Sequence, residues 1–376
     1  MHRFAILLIA VCPALVTAQP KPDPTAEIFK ATAPLPTFKI TVDAANLKLL
    51  NAEPKKYVRC TVVVGDKTYK DSAIHLKGAA GSFRNFDDRP ALTVNLDHFT
   101  KGQNWQGLDK FHLNNSVQDG SFLNEMACAE LAKAMGLPTA RATHAVLELN
   151  GRKLGLYVLK EGYDGGFLTR NFPGADKGNL YDGGFLQDID QKLKLDEGTP
   201  NDGKDLKVLV KACQIGDNKK RYEAVEKLVN VDLFVKNTVL QYVATDWDGY
   251  VRNRNNYRLY FPPKDGKAVF IPHGMDQMFQ NPGEGIWPGA GALVSRAILE
   301  NDEGKKKTIA AYKELMEKHF TPEFLKRIDG WIVHTRDELA KSNKDWAKSF
   351  ENEAKLGRER MKQRMDFVKK ELPKLK

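Results

Sequence analysis

The sequence predicts an α+β protein of two lobes, a β-rich N-terminal lobe followed by a mainly helical C-terminal lobe. Three observations predict it. Apolar and β-branched runs separated by Gly, Asp and Lys turns fill residues 38–96, the pattern of half-buried strands. An Asn150-Gly151 pair sits between two further strand-like runs, the strongest short-range hairpin signal. From residue 206 onward, apolar residues recur mostly at helical spacing. A length of 376 residues is ample for a large core, in one big domain or two lobes.

The chain begins with His2 and Arg3, an apolar run over residues 4–16, and Val16-Thr17-Ala18 before a polar, proline-containing stretch. This order predicts a signal peptide over 1–18, cleaved after Ala18, and an exported protein that is secreted, periplasmic or held at the cell envelope. The run is too short to span a bilayer comfortably and no later segment approaches the length needed, so no transmembrane segment is expected. Val11 before Cys12 makes a poor lipoprotein site, which favours release over lipid anchoring. Residues 19–36, with five prolines, read as a flexible lead-in.

Strands are predicted at 38–42, 58–64, 73–76 and 91–96. Between the last two lies Gly78-Ala79-Ala80-Gly81-Ser82, a small-residue loop whose amides can approach a phosphate; such loops are also often plain turns. Residues 122–135 read as an amphipathic helix stopped by Gly136 and Pro138. The Asn-Gly hairpin, 144–149 and 154–159, leads to Lys160-Glu161. Residues 162–203 are Gly/Asp-rich and loop-like, and helices follow at 206–215, 219–228 and 231–245. A second hairpin pairs 257–261 with 268–271 around Pro262-Pro263-Lys264-Asp265-Gly266. A Gly-rich loop spans 283–291, and the remainder is helical with a break near Thr321-Pro322.

The formal net charge of +10 favours acidic partners such as phosphates or anionic polymers. Much of the excess lies in 305–307 and 355–376, on faces of predicted helices, where a solvated surface accounts for it. No nucleic-acid-binding motif occurs, so no specific nucleic-acid partner is expected. Without the signal peptide, Cys60, Cys128 and Cys213 remain, an odd number that allows at most one disulfide. Cys128 lies on the apolar-periodic helix and reads as core. His75, His112, His144 and His273 lack the spacing of a zinc site. Ser82 and Ser116 carry no signature of an activated nucleophile, and Arg141 and Lys160 read as plain structural or surface charges.

The stretch 245–279 carries the densest chemistry. Asp246, Asp248, Asn255, Asn256 and Asp276 recur on either side of the second hairpin, which can bring a carboxylate before its first strand close to one after its second. Carboxylate and amide oxygens are the ligands that Mg²⁺ takes alongside phosphate oxygens and water. The same residue types are ordinary loop formers, so each alone reads as structural and only the constellation points to metal and phosphate chemistry.

Several phrases in order resemble the CotH kinase family, the secreted kinases related to spore coat protein H. They are His75-Leu76-Lys77-Gly78, Gly107-Leu108-Asp109-Lys110-Phe111-His112-Leu113-Asn114-Asn115, Gly136-Leu137-Pro138-Thr139-Ala140-Arg141, Leu149-Asn150-Gly151 with Gly155-Leu156-Tyr157, and Gly178-Asn179-Leu180-Tyr181. Asp248-Gly249-Tyr250, Asn256-Tyr257-Arg258-Leu259-Tyr260 and Ile271-Pro272 to Asp276 follow. The resemblance implies an atypical protein-kinase-like fold over 37–376, with an N-lobe of about 37–161 and a C-lobe of about 162–376. It implies transfer of the ATP γ-phosphoryl group, with Mg²⁺ or Mn²⁺, to Ser residues of secreted or envelope proteins. It makes Asp248 the catalytic Asp, Asn256 an assisting amide and metal ligand, and Asp276 the metal-binding Asp. Lys77, Arg84 and Arg89 would lie near phosphates, Glu125 would pair with the phosphate-binding cation, and Glu161 would sit at the adenine-side hinge.

Two positions depart from the family pattern. A run of the type Trp-Asp-x-Asp is replaced by His273-Gly274-Met275-Asp276, so Gly274 stands at the first acidic position. Arg89 stands where a Lys is usual, and the two are not interchangeable at a phosphate. These departures leave a second reading open, a catalytically silent kinase-fold module for binding or assembly at the cell envelope.

Overall fold

Seven strands close into a barrel: β1 (Thr37–Thr41), β2 (Val58–Val64), β3 (Lys67–Lys77), β4 (Ala91–Asn95), β5 (Lys110–Asn114), β6 (Ala142–Leu149) and β7 (Arg152–Glu161). The computed structural model describes residues 23–263 and 266–375; the expected signal peptide and residues Lys264 and Asp265 of the second hairpin turn lie outside them. Around the barrel the order is β1-β2-β3-β4-β5-β7-β6. Its pairings are antiparallel except the closing one, where β1 runs parallel to β6 with Phe38 opposite Leu147. Closure removes the unpaired edges that an open sheet would present. Val58, Cys60, Val62 and Val64 alternate inward along β2, as the pleat requires. Phe38 fills the interior against Trp105, edge to face with centroids 5.1 Å apart. Asn150 and Gly151 both have positive φ, +47° and +77°, as a tight two-residue hairpin demands.

Two helices belong to this part. α1 (Ala44–Ala52) is capped by the Asp43 carboxylate on the Asn46 amide and buries Leu50. α2 (Asn124–Ala134) connects β5 to β6 and turns Met126, Ala127 and Leu131 into a second core shared with the rest of the chain.

That second core is built on a four-stranded antiparallel sheet, order β11-β10-β8-β9, from β8 (Asn179–Asp182), β9 (Lys194–Glu197), β10 (Tyr257–Phe261) and β11 (Val269–Pro272). Around it lie α3 (Gly165–Asn171), α4 (Lys204–Cys213), α5 (Asn218–Leu228), α6 (Val231–Val243), α7 (Tyr250–Asn253), α8 (Leu293–Leu299), α9 (Asp302–Glu314), α10 (Pro322–Ala340) and α11 (Lys344–Glu371). α6 is apolar on nearly every face and buried, as a central helix must be. The break expected near Thr321-Pro322 is a π turn, Leu315–His319, followed by Pro322 in the first turn of α10. The α+β class therefore holds.

Several expectations need correction. Residues 23–36 are not a loose lead-in: Ile28 is buried in the barrel core, Asp23 pairs with Arg141 at 2.6 Å, and the Pro36 carbonyl accepts from the Val146 amide. Proline content there marks an irregular path that is nonetheless pinned by apolar and ionic contacts. Residues 162–203 are not all loop but include α3, β8 and β9, the strands being four residues each and too short for alternation to register. α1, which buries only Leu50 and so carries no apolar stripe, and β5 were not read either. The basic C-terminal face is a solvated one, with Lys355–Glu351, Lys362–Asp366 and Arg358–Asp329 pairs. Cys60, Cys128 and Cys213 are buried free thiols.

Candidate active site

A cleft of about 360 Å³ opens between the barrel and the second sheet. The barrel contributes Lys77, the small-residue loop after it, Asn114 and Glu125; the other side contributes Asp182, Asp248, Asn256, His273 and Asp276. The loop is a tight turn, with the Ala79 amide donating to Ser82 Oγ at 3.1 Å and the Phe83 amide to the Ala79 carbonyl at 3.0 Å. Gly78 and Gly81 have φ of +100° and +84°, values that admit glycine readily and other residues poorly.

Lys77 ends β3, and its ammonium donates to Asn114 Oδ1 at 2.5 Å. Burial, and then the neighbouring Lys160, lower its pKa to about 8 against the pull of Glu125 and Asp276. Its partner is a neutral amide, whereas the other cations nearby have carboxylates. Arg258 pairs with Asp182 at 2.6 Å and Asp196 at 2.7 Å, and Lys160 pairs with Glu125 at 2.5 Å with both side chains at most 5% exposed. Burial works against the Lys160 charge, but Glu125 beside it more than compensates and keeps the pKa raised. Lys160 is thus no surface charge. Glu125 pairs with a cation, as expected, but that cation is Lys160 and not Lys77.

Glu125 lies in the first turn of α2, and α2 is tied to the loop that carries Asp276. The Asn124 amide group donates to the carbonyls of Asp276 at 2.8 Å and Met278 at 3.0 Å. Asp276 follows β11, and burial followed by the Glu125 charge pushes its pKa up to about 6, with Lys77 and Lys160 opposing.

Asp248 sits on the turn between α6 and α7. Its Oδ2 accepts from Asn255 Nδ2 at 2.9 Å and Asn256 Nδ2 at 3.1 Å. Burial raises its pKa and these two amides lower it. Asp246 lies beneath the turn, buried, and accepts from the Asp248 amide at 3.1 Å. Burial raises its pKa to about 7. A Cβ on Gly249 would come within 2.4 Å of Asp246 Oδ2, so the close packing of this turn requires glycine there. Asp246 supports the loop and does not line the cleft.

Asn256 has φ +49°, in the left-handed region that asparagine tolerates. Its amide faces Gly274, itself at φ +63°: a Cβ at 274 would meet Asn256 Oδ1 at 2.6 Å. The room that a side chain at 274 would take is held by Asn256. The missing acid at this position is therefore coupled to an amide that occupies its space.

Of the residues expected at the site, Lys77, Glu125, Asp248, Asn256 and Asp276 line one cleft and three others do not. Arg84 folds back onto the carbonyls of Gly81 and Phe83. Arg89 clamps the carbonyls of Asn115, Leu154 and Leu156 and stacks its guanidinium 4.8 Å from the Tyr157 ring, a role in holding strands together. Glu161 is buried, with its carboxylate taken by Arg141 and Arg170. Protein partners occupy the charged groups of Arg89 and Glu161, whereas Arg84 bonds only within its own loop and stays partly exposed. Three residues were given no role at the site by the sequence: Lys160, which read as a structural or surface charge, Asn114, and His273, whose buried Nδ1 has no hydrogen-bond partner and which burial keeps neutral. A lone Lys closing the apolar run of β7 was the available signal for the first.

Among the described residues no group of three or more His, Cys, Asp or Glu side chains could hold a metal. The cleft is lined by the carboxylates of Asp182, Asp248 and Asp276 and by the Asn256 amide, hard oxygen donors of the kind that suit a cation whose remaining ligands are phosphates and water.

A family model described as "CotH kinase protein" matches residues 74–370, well over half of the chain and including every cleft residue named above. The chain belongs to the CotH kinase family. Among curated relatives, this CotH chain is 24% identical over 172 residues to Invasin CotH7 of Rhizopus delemar, covering 43% of the chain and 29% of that protein. It is 24% identical over 242 residues to the inner spore coat protein H of Bacillus subtilis, covering 58% of the chain and 64% of that protein. It spans less than two thirds of the length of either. Among solved structures, the proinflammatory kinase CtkA of Helicobacter pylori aligns over 76% of this chain and 94% of its own at 10% identity. Its TM-score of 0.32 is too low to bear on the fold.

Proposed function

We propose that this CotH-family chain is an exported protein kinase that transfers the γ-phosphoryl group of ATP to Ser residues of secreted or envelope proteins. The observation that carries the reading is the meeting of Lys77, Asp248, Asn256 and Asp276 on one cleft, under a loop of small residues. Phosphoryl transfer asks a protein chiefly to position groups and neutralise charge. The Lys77 ammonium, held by a neutral amide, is free to pair with phosphate oxygens. The Glu125–Lys160 pair fixes α2 against the barrel and adds a second cation behind Lys77. Asp248 orients the acceptor hydroxyl, and Asn256 steadies that carboxylate through its Nδ2 while its Oδ1 remains an acceptor for a metal. Asp276 is the carboxylate ligand. Mg²⁺ or Mn²⁺ bound there would neutralise charge on the phosphates. The barrel with α2, 37–161, and the remainder, 162–376, act as the two lobes of a kinase-like fold with the hinge after β7. The coat-protein and invasin names of the relatives support a destination at the cell envelope or surface.

The test is transfer of labelled γ-phosphate from ATP with Mg²⁺ or Mn²⁺, to the protein itself and to a Ser-rich acceptor, comparing wild type with Asp248→Ala. Wild type transfers and the variant does not, while melting at the same temperature. Gly274 favours the second reading, a catalytically silent module of the same fold serving binding or assembly. That reading takes over if wild type neither transfers phosphate nor gains thermal stability from nucleotide.

A further inference from the structure

Asp276 lies on irregular backbone. β11 ends at Pro272 and the next helix, α8, begins at Leu293, and the carboxylate that lines the cleft belongs to the stretch between them. A ligand carried on a loop keeps its place only as well as the groups packed around that loop hold it. The backbone is constrained on both sides of Asp276, with Gly274 at φ +63° and Phe279 at φ +58°. Phenylalanine keeps that conformation only where its surroundings impose it.

Those surroundings are of two kinds. Met275, Met278 and Phe279 are buried in the second core, where methionine side chains adapt readily to small shifts of the backbone. The directional contacts are hydrogen bonds to the main chain. The Phe279 amide donates to the Ala244 carbonyl at 2.7 Å, at the end of α6. From the other side, Asn124 Nδ2 donates to the Asp276 carbonyl at 2.8 Å and to the Met278 carbonyl at 3.0 Å. Both partners only accept, so the NH₂ end of the amide is the end that faces them. Two bonds to carbonyls two residues apart fix the rotation of the segment between them as well as its position.

Asn124 is itself held. It is 2% exposed in the first turn of α2, and its backbone amide donates to the Asp119 carboxylate at 3.0 Å. Glu125 beside it is paired with Lys160 of β7. The contacts form a continuous path from β7 through Glu125 and Asn124 to the Asp276 loop, and on through Phe279 to the end of α6, just ahead of the turn that carries Asp248. Asn124 does not line the cleft, so its influence there passes through Asp276.

We infer that Asn124 is the positioning residue for Asp276: by holding the carbonyls of Asp276 and Met278 it sets the direction in which the Asp276 carboxylate enters the cleft, and with it the affinity of the cleft for a divalent cation. The inference rests on the kinase reading for the presence of that cation, and adds to it the side chain that aims the cation's ligand. Small hard cations hold their oxygen ligands at about 2.1 Å in near-octahedral geometry and tolerate little displacement. Outer partners that orient a metal ligand are typically worth about tenfold to a hundredfold in affinity.

Asn124→Leu tests it, because leucine keeps the volume and removes both donors. Binding of Mn²⁺ is read by electron paramagnetic resonance, with and without a non-hydrolysable ATP analogue, at a temperature well below the melt of every variant. Asn124→Leu should bind Mn²⁺ about tenfold to a hundredfold more weakly than wild type. Its affinity for the ATP analogue in EDTA should be unchanged, because Lys77 is untouched. Asn124→Ala, a plain truncation, should show the same loss and serves if the leucine variant does not fold. Arg89→Lys, which loosens the barrel away from the cleft, controls for stability and should bind Mn²⁺ as wild type does. Unchanged Mn²⁺ affinity without Asn124, an equal loss in Arg89→Lys, or a wild type that binds no Mn²⁺ would overturn the inference. Phosphoryl transfer is followed in parallel. Mn²⁺ binding that weakens without Asn124, in a wild type that transfers to no acceptor, sinks the kinase reading and leaves the role of Asn124 standing; transfer by wild type with Mn²⁺ affinity unchanged in the variants does the reverse.

Discussion

Gly274→Ala is a one-carbon change with two calculable consequences. At φ +63° an alanine pays the left-handed penalty of about 1 kcal/mol. Its Cβ would also lie 2.6 Å from Asn256 Oδ1 and 2.7 Å from Asn256 Cγ, so the amide must move. Moving it breaks the 3.1 Å hydrogen bond from Asn256 Nδ2 to the Asp248 carboxylate. A hydrogen bond to a charged group contributes about 1.5–3 kcal/mol. The two together come to about 3 kcal/mol, and at roughly 2 °C per kcal/mol for a chain of this size the melting temperature should fall by about 6 °C. The same shift leaves Asp248 with one amide donor fewer, and kcat/KM for phosphoryl transfer should drop tenfold to a hundredfold, each decade being about 1.4 kcal/mol. Losing a donor that favours the ionised form also raises the Asp248 pKa, so the acid limb of the rate profile should move to higher pH. Thermal melts and initial rates on Gly274→Ala, Asn256→Ala and the double variant make the cycle: with Asn256 already truncated, the glycine change should cost only the backbone term. If Gly274→Ala melts within a degree of wild type and keeps full activity, Asn256 and Gly274 are not coupled and the account of the missing acid is wrong.

Lys160→Met leaves the buried Glu125 without its cation and should destabilise the fold by about 3–5 kcal/mol in urea titrations, with Lys160→Met/Glu125→Leu recovering much of the loss; equal losses would refute the pairing. Arg89→Lys breaks at least one of three carbonyl contacts and should cost about 2 kcal/mol while leaving the ATP-induced thermal shift unchanged, whereas a weakened shift would return Arg89 to the nucleotide. His144 is buried between the Thr335 hydroxyl and the Phe122 carbonyl, and burial lowers its pKa to about 4. Its neutral form is the folded one, so its contribution is whole above the unfolded value near 6.5 and is lost as pH falls toward 4, about 3 kcal/mol across that window. His144→Gln should flatten that part of the stability–pH curve, and a curve of unchanged slope would remove His144 as its source.

The elements that could be read from the sequence were those with a pattern longer than a few residues or a turn of fixed chemistry. The Asn150-Gly151 hairpin, α2 with its Gly136 stop, and the hairpin of β10 and β11 all carry such marks. So did the acidic and amide residues around that hairpin, because the hairpin itself brings Asp248 and Asp276 to one place. Closure of the barrel was not legible: β1 meets β6 in parallel across about a hundred residues, and no local signal specifies it. Charges proved hardest. Arg84, Arg89 and Glu161 have the right chemistry for a nucleotide, but Arg84 turns back on its own loop, Arg89 and Glu161 are taken up by residues elsewhere in the chain, and Lys160 looks like any surface lysine until Glu125, thirty-five positions earlier, is seen beside it.

Arg364 of α11 is fully buried and donates to the carbonyls of Tyr242 and Val243, two residues short of the turn that presents Asp248, and to those of Pro282 and Glu284. The consequence is one of timing. During synthesis the backbone leading into the turn that carries Asp248 must wait for a guanidinium made 121 residues later before its carbonyls have their partner. The cleft is therefore among the last parts of the chain to be completed, and a chain cut off anywhere ahead of its final helix leaves that turn without its clasp.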